Sequence, residues 1–161
     1  MKMLVLDDDG NVVNLLTRMC EREGHEVRGF TSPERAIQCL AEEPFDLLIT
    51  DLAMPQVDGL AVTRRAQKLQ KALFTLIITG HAGSFPLEEV LGDGNVDVMF
   101  KPFHLAELRA RIALAERRMA MLDKMQAQRR EIQSVSAEMI QGLEDEIKEL
   151  RTVPKPDAVA R

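Results

Sequence analysis

The sequence has no Trp, no Tyr and only six Phe among its 161 residues. This shortage removes most of the side chains on which nucleic-acid bases stack. Positive charge is also scarce, because 21 Lys and Arg stand against 26 Asp and Glu, for a net charge of −5. A basic surface for phosphate contacts is therefore not indicated. The composition argues against nucleic acid as a partner.

Long apolar runs and closely paired cysteines are missing as well. No run approaches the roughly 20 apolar residues of a membrane span, and the first ten residues become acidic too early for a secretory signal. The two cysteines, Cys20 and Cys39, lack C-x-x-C spacing. Reduced thiols are thus favoured over a disulfide or a zinc site. We expect a cytoplasmic globular protein that does not contact membranes.

Short apolar runs recur through the first hundred residues, each bounded by Asp, Gly or Pro. Continuous runs of this length are typical of strands buried on both faces of a parallel sheet. A fifth stretch, residues 25–30, alternates more and predicts an edge strand. The continuous runs are residues 3–6, 45–50, 75–79 and 96–100.

Helical periodicity lies between these runs. The spacing of Val12, Leu15, Leu16 and Met19 predicts a first helix that stops at Gly24. The pair Ser32-Pro33 predicts the start of a second helix, in which Ile37 and Leu40 face inward. A third helix is predicted over residues 59–71 and a short fourth over 86–91. Five strands separated by helices predict an α/β fold with a doubly wound, five-stranded parallel sheet.

Polar side chains follow four of the predicted strands. Asp7 and Asp8 come after the first, Asp51 ends the third, Thr79 ends the fourth and Lys101 follows the fifth. Taken singly, an Asp after a strand is usually a helix N-cap, and a Lys before Pro is usually a solvated loop residue. Ligands of doubly wound sheets, however, bind at the carboxyl ends of the strands. The coincidence of all five residues at one edge predicts a functional site.

The pattern changes from Leu105 onward. Apolar residues keep a three- and four-residue spacing as far as Leu122 and resume it, in the same heptad frame, from Ile140 to Leu150. Between these segments a shifted frame carries Ile132, Val135 and Met139. A helix of this kind fits a coiled coil with a local stutter. The original frame holds polar residues there, namely Gln126, Arg129, Gln133 and Ser136.

The length of this helix predicts how it is used. If continuous over residues 105–150 it would reach about 70 Å, and its apolar stripe would be too long for one small domain to cover. An exposed stripe of Leu, Ile and Met favours association. We therefore expect a homodimer formed through this helix. The alternative is a solvated helix folded back on its own domain.

The aspartates at residues 7–9 fit two phosphoryl-transfer architectures. In the haloacid-dehalogenase-like phosphatases, Asp7 would attack phosphorus, Asp9 would act as acid and base, and Thr79 would be the strand-end hydroxyl. Residues 92–97 even resemble the acidic metal motif of those enzymes. The order argues against this reading, because that family places its Lys before the acidic motif, whereas Lys101 follows it. Residues 92–95 are better interpreted as a turn before a strand.

The second architecture accounts for more residues. Asp7-Asp8, DLAMPQVDGL at 51–60, IITG at 77–80 and KPF at 101–103 resemble the receiver domain of bacterial response regulators. The resemblance covers roughly residues 1–118 and implies a flavodoxin-like receiver fold. It also implies that Asp51 accepts a phosphoryl group from a histidine kinase or a phosphotransfer protein. Such a protein is a phosphoacceptor switch, with at most self-catalysed phosphorylation and dephosphorylation.

The resemblance implies a Mg²⁺ cofactor. A carboxylate that attacks a phosphoryl group meets charge repulsion, which a divalent cation screens. Asp8 and Asp51 would be direct ligands, Asp7 would act through water, and Ala53 would offer its backbone carbonyl. Asp9 would remain free to begin the first helix, where negative charge suits the helix dipole.

The remaining implied roles concern the phosphoryl group and the signal. Thr79, Gly80 and Lys101 would contact the phosphoryl oxygens. Family members usually carry Tyr or Phe three residues before the Lys as the switch position, but this chain has Val98 there. Gly80 is also smaller than the usual Ala. These departures predict a readout through the helices into the coiled coil.

The chain is therefore divided into a receiver domain over residues 1–118, a coiled-coil extension over 119–150 continuous with the last receiver helix, and a disordered tail over 151–161. Two alternatives stay open. The chain is the N-terminal part of a longer regulator whose output enzyme domain follows, or it is a phosphatase that uses Asp7.

Overall fold

The computed structural model describes residues 1–55, 57–80 and 95–152, with side chains described as far as residue 148. Five parallel strands form one sheet in the order β2-β1-β3-β4-β5. This arrangement confirms the predicted parallel α/β fold. The strands are β1 (Lys2–Leu6), β2 (Glu26–Phe30), β3 (Leu47–Asp51), β4 (Phe74–Thr79) and β5 (Val96–Phe100).

Burial along the strands follows their place in the sheet. The central strands β3 and β4 are buried at every residue, as continuous apolar runs predict. Strand β2 lies at one edge, which confirms the prediction from its alternating pattern. Strand β5 lies at the other edge, and Phe100 is exposed. The expectation that the run 96–100 is buried on both faces holds at Val96, Val98 and Met99 but is wrong at Asp97, which is half-buried, and at Phe100. The strand at the edge of the sheet has a neighbouring strand on one side only, so it is less completely covered than β3 and β4.

Helices connect the strands and begin at side-chain caps. Asp9 caps α1 by accepting a hydrogen bond from the Asn11 N–H at 2.8 Å, and Ser32 caps α2 by accepting one from Arg35. The predicted helix starts at Asp9 and Ser32 are thus confirmed. The described helices are α1 (Gly10–Arg22), α2 (Pro33–Glu42), α3 (Gly59–Leu69) and the C-terminal helix α4 (Leu105–Thr152). The predicted short helix at 86–91 and the turn at 92–94 lie outside the described residues.

The buried face of α1 differs from the predicted one. Leu15 is 58% exposed, whereas Val13 is buried beside Leu16 and Met19. Each residue turns by about 100° around a helix, so Leu15 points away from the face that Leu16 buries. Gly24 lies just past the helix with φ of 88°, which confirms the predicted C-terminal stop.

The core has two large parts, one on each face of the sheet, and a smaller cluster of Ile77, Val96 and Val98. Along β1, Met3 and Val5 belong to one part, while Leu4 and Leu6 belong to the other. This alternation is the two-residue period of a strand. The first part includes buried residues of α1 and α4, and the second includes buried residues of α2 and α3. The sheet is therefore covered on both faces, as the doubly wound fold requires.

The chain divides into two compact units, Met1–Arg117 and Arg118–Arg161. In the first unit, Leu108, Ile112 and Ala115 of α4 are buried in the core. Ion pairs join the same part of α4 to neighbouring elements, with Arg111 bound to Asp97 of β5 at 2.7 Å and Arg109 bound to Glu23 at 2.8 Å.

The second unit contains the helical residues from Arg118 to the end of α4 at Thr152. Helix α4 therefore confirms the predicted long helix and continues two residues beyond it, while residues 153–161 lie outside the described part. In the portion of the chain that the structure describes, no helix is both long and apolar enough to cross a membrane. Met119 is half-buried, and the other large apolar side chains described here are at least 39% exposed, namely Met121, Leu122, Met125, Ile132, Val135, Met139, Ile140, Leu143 and Ile147.

Candidate functional site

Three carboxylates meet at the carboxyl ends of β1 and β3. Asp7 and Asp8 directly follow β1, and Asp51 is the last residue of β3, which pairs with β1 in parallel register. One oxygen from each of the three side chains lies within 4.8 Å of the others. Asp7 is 4% exposed and Asp51 8% exposed, while Asp8 is open to solvent. Two of the three carboxylates are therefore withdrawn from water, where charge must be compensated.

Lys101 supplies a positive charge to this cluster. Its Nζ donates to Asp51 Oδ2 at 2.6 Å and to Asp7 Oδ2 at 3.1 Å. Partial burial lowers the pKa of the Lys101 ammonium, but hydrogen bonds to Asp51 and Asp7, with the charge of both carboxylates, outweigh it and raise this pKa above its usual value. Lys101 is thus held charged. The local sum of three carboxylates and one ammonium still leaves an excess of negative charge.

The second oxygens of the two buried carboxylates are held by the backbone. Asp51 Oδ1 accepts from the Ala53 N–H at 3.1 Å, and Asp7 Oδ1 accepts from the Asp9 N–H at 2.9 Å. The Asp9 side chain itself caps α1 through Asn11. Asp9 thus has a structural task at the helix start, as predicted, and each buried carboxylate is oriented by a neighbour two residues away.

The acidic cluster has the composition of a magnesium site. It offers only oxygen ligands, carries net negative charge and includes one solvent-exposed member in Asp8, which suits a hard cation that keeps several waters. A cavity of about 160 Å³ beside Asp8 is lined by Thr31, Pro33, Met54, Pro55 and Val57. Solvent therefore reaches the ligand group from this side.

The other predicted residues lie on or directly after neighbouring strands. Thr79 ends β4 and is fully buried, its carbonyl accepts from the Lys101 N–H at 2.8 Å, and Gly80 follows it at the surface. Val98 lies within β5 and belongs to a small buried cluster with Ile77 and Val96. The Asp51 side chain contacts Lys101 and the Ala53 N–H, and Thr79 and Gly80 lie at the same edge of the sheet.

Gly59 begins the third helix, as predicted, and also makes a close backbone contact that the sequence pattern does not predict. Its N–H donates to the Leu52 carbonyl at 2.9 Å, and Asp58 before it caps α3 and bridges Ala53. A Cβ at position 59 would clash with the Asp51 carbonyl oxygen and lie 2.7 Å from Leu52 Cα. The loop that follows Asp51 therefore closes on a residue without a side chain. The Asp-Gly pair at 58–59 was the available signal.

We expect Gly59→Ala to destabilise the first unit by about 1–3 kcal/mol, the usual cost of overpacking. The backbone beside Asp51 would have to move, because the added methyl group meets main-chain atoms rather than a flexible side chain. Urea unfolding monitored by circular dichroism measures the effect. Gly142→Ala is the matched control, since a Cβ there meets nothing within 4 Å in the described part of the chain, and Ala favours a helix by roughly 0.5–1 kcal/mol. Equal free energies of unfolding for Gly59→Ala and Gly142→Ala would contradict the close contact between Gly59 and the backbone of Asp51 and Leu52.

Comparison with known proteins agrees with this geometry. Residues 3–113 match the family model of the response regulator receiver domain. The chain is 35% identical over 107 residues to the response regulator receiver protein CpdR of Brucella abortus, a match covering 66% of this chain and 89% of CpdR. A receiver domain structure from Clostridium thermocellum has a TM-score of 0.66 at 25% identity and covers 75% of this chain and 98% of that one.

A second relative has a longer chain. The sequence is 33% identical over 118 residues to the virulence transcriptional regulatory protein PhoP of Salmonella typhimurium, and the match covers 73% of this chain but 53% of PhoP. The shared part therefore spans about half of that relative's length. Since the family model covers more than half of the present chain and the parallel sheet carries the acidic cluster at its edge, the chain belongs to the response regulator receiver family.

Proposed function

We propose that this protein is a response regulator in which Asp51 accepts a phosphoryl group from a histidine kinase or a phosphotransfer protein in a Mg²⁺-dependent reaction. One observation carries the proposal: the Asp51 carboxylate lies at a strand end, 2.6 Å from the Lys101 ammonium and within the cluster of Asp7 and Asp8. This combination offers a nucleophile, a fixed cation and metal ligands in one place. The protein acts as a phosphoacceptor switch rather than as a classical enzyme.

The transfer step uses groups that the chain positions. An Asp51 carboxylate oxygen forms a bond to phosphorus while the phosphorus–nitrogen bond of the donor's phosphohistidine breaks, and the product is an aspartyl phosphate. A bound Mg²⁺ supplies charge screening between the carboxylate and the phosphoryl oxygens. Asp8 and Asp51 would hold it directly, Asp7 through water, and Ala53 through its backbone carbonyl. The Ala53 N–H contact orients Asp51 before the reaction.

Lys101 is assigned to the phosphoryl oxygens, together with Thr79 and Gly80. Its Nζ already lies at the reacting carboxylate, so charge that develops on the transferred group meets an ammonium fixed in advance. Thr79 ends the strand beside β3, and Gly80 follows it at the surface. Thr79 and Gly80 come from the end of β4, which pairs with β3, and Lys101 follows β5, which pairs with β4. All three lie at the edge of the sheet where the product must be accommodated.

Lys101→Ala is expected to bind Mg²⁺ at least as tightly as the wild type, because removal of the cation leaves the three carboxylates less compensated. The same variant should transmit phosphorylation poorly, since it lacks the fixed contact to the phosphoryl oxygens. Calorimetric Mg²⁺ titration measures the first effect, and the phosphorylation-dependent change in oligomeric state measures the second. Lys68→Ala, on the exposed side of α3, is the matched control. A large loss of Mg²⁺ affinity in Lys101→Ala would contradict the role assigned to it.

The output is assigned to a homodimer formed through α4. From Met121 to Ile147 the large apolar side chains of its second unit are exposed, so a second copy would cover them. Val98 is a buried β-branched residue without an aromatic ring to swing outward, so the signal is assigned to the helices instead.

The receiver domain is taken as residues 1–118 and the coiled coil as 119–150. We place the protein in the cytoplasm, where free buried thiols such as Cys20 and Cys39 are usual.

Two other functions remain distinguishable. If the chain is part of a longer regulator, the same receiver would precede an output domain. The length of the encoding gene tests whether such a domain follows. As a phosphatase, the protein would turn over free phosphomonoesters with Asp7 as nucleophile. Asp7 and Asp51 make matching contacts, each with one backbone N–H and with Lys101, so labelling of Asp7 and Asp51 variants distinguishes the two functions. Steady phosphate release from a phosphomonoester would favour the phosphatase.

A further inference from the structure

Two adjacent apolar stripes run along the part of α4 that belongs to the second unit. One is the regular heptad frame, which is apolar at Leu122 and again at Ile140, Leu143 and Ile147. The other lies one residue earlier in the chain, and its members are 51–67% exposed, namely Met121, Met125, Ile132, Val135 and Met139. Neither stripe is apolar over the full length. A second copy can therefore bury a continuous seam only by changing from one stripe to the other.

The regular frame carries a specific penalty in its middle. In a parallel pair, equivalent core positions face each other, so Arg129 would meet Arg129 of the second copy. Each guanidinium would lose its hydration without gaining an opposite charge, and the two like charges would also repel each other. Gln126 and Gln133 would fill the neighbouring core layers with amides in place of apolar side chains. The shifted stripe instead offers Met125, Ile132, Val135 and Met139, with Gln128 as its one polar layer.

We propose that two copies of this chain pair in parallel and in register, and that their seam passes through Leu122, Met125, Gln128, Ile132, Val135, Met139 and Leu143. This inference rests on the proposed dimer and specifies its interface. One step along the seam, from Leu122 to Met125, shortens from four residues to three, and another, from Met139 to Leu143, lengthens from three to four. Such changes overwind and unwind a coiled coil locally. The one-residue shortening and the one-residue lengthening cancel, so the apolar positions near both ends of the helix belong to the same heptad frame.

Charge supports the parallel direction. In a parallel pair, Arg118 of one copy and Asp123 of the other occupy flanking positions that face each other, and symmetry makes this attraction twice. In an antiparallel pair with the apolar ends overlaid, Asp123 faces Glu144 of the second copy, and this repulsion also occurs twice. The flanking charges therefore favour the parallel arrangement.

Three consecutive cysteine variants of the full chain separate the two frames. Val135→Cys is in the core of the shifted seam but points outward in the regular frame. Gln133→Cys has the opposite placement, in the core of the regular frame and outward in the shifted seam. Ser134→Cys points outward in both frames. Core positions of a parallel pair meet the distance requirement of a disulfide, while outward positions do not. Wild-type chain is the background control, since Cys20 is fully buried with a pKa raised by that burial to about 11, and Cys39 is buried too.

Under mild oxidation, we expect Val135→Cys to form covalent dimers at least about tenfold faster than Gln133→Cys or Ser134→Cys. The reverse order, with Gln133→Cys fastest, would overturn the shifted seam. Equal rates for all three would overturn it as well, because random collision does not discriminate neighbouring residues. Light scattering on the unoxidised variants separates this failure from that of the proposed dimer: a monomer at all concentrations removes the dimer itself, whereas a dimer with the wrong cross-linking order removes only the seam.

A fourth variant tests the direction. Leu122→Cys lies near one end of the seam, and in a parallel pair it faces itself and should cross-link. In the antiparallel pair it faces Ile147 instead, so the two introduced thiols would be about 37 Å apart. Dimers that fail to cross-link through Leu122→Cys would overturn the parallel arrangement.

Discussion

Replacing Asp51 by Asn is expected to abolish phosphorylation of this protein by a phosphodonor. The amide has no anionic oxygen to attack phosphorus, and it removes one of the three carboxylates that define the acidic cluster. Lys101 loses the charged partner that lies 2.6 Å away and keeps Asp7 at 3.1 Å. Mg²⁺ affinity should fall by roughly tenfold or more, since a bound carboxylate ligand is lost.

The controls for this variant come from the same stretch of acidic residues. Asp9→Asn should be phosphorylated normally, because Asn caps a helix about as well as Asp does and the α1 cap is preserved. Asp7→Asn should remain phosphorylatable, with labelling intact or weakened, since its assigned role in holding Mg²⁺ runs through water. Phosphate-affinity gel electrophoresis after incubation with donor ranks the three variants. Labelling that survives in Asp51→Asn and disappears in Asp7→Asn would assign the chemistry to the phosphatase instead.

Truncation after about Arg118 is expected to give a folded, phosphorylatable monomer. The residues of α4 that complete the receiver core are Leu108, Ile112 and Ala115, and the truncated chain keeps all of them. The removed segment carries the exposed apolar side chains on which the proposed association depends. The receiver's free energy of unfolding should change by less than about 1 kcal/mol, as is usual for changes away from the core.

Point variants test the same prediction without shortening the chain. Leu143→Ser should weaken dimerisation by about tenfold or more, because a largely apolar seam loses a leucine. Gln141→Ser, on the outward side of the same turn, should leave it unchanged. Light scattering over a range of concentrations, with and without a phosphoryl mimic, measures both. A full-length chain that stays monomeric throughout would contradict the dimer and favour a solvated or folded-back helix.

Much of the fold was predictable because the signals are local. Continuous apolar runs of five or six residues mark the central strands, and caps such as Asp9 and Ser32 mark helix starts. Strand order is not local: the run 96–100 has the composition of an inner strand, yet β5 lies at the edge. The phase of α1 was also missed, because an apolar Leu15 at the right spacing is indistinguishable by sequence from the residue that is buried, Val13.

The positions of the site residues followed from one topological rule. Parallel strands end at one edge, so Asp7, Asp51 and Lys101 were predicted to share that edge. Their contacts of 2.6 and 3.1 Å also depend on the strand order, which the structure supplies. The need for Gly59 could not be derived in this way. It depends on how closely the α3 start returns to the backbone of Asp51 and Leu52, which is a tertiary contact with no periodic signature.

Intact-mass spectrometry of the full chain with a small phosphodonor, with and without Mg²⁺, tests the central claim most directly. The predicted result is a gain of one phosphoryl group that requires Mg²⁺, is lost on treatment with hydroxylamine as an acyl phosphate should be, and maps by peptide analysis to Asp51. A phosphoryl group that maps to Asp7, or one that forms equally well without Mg²⁺, would contradict the account.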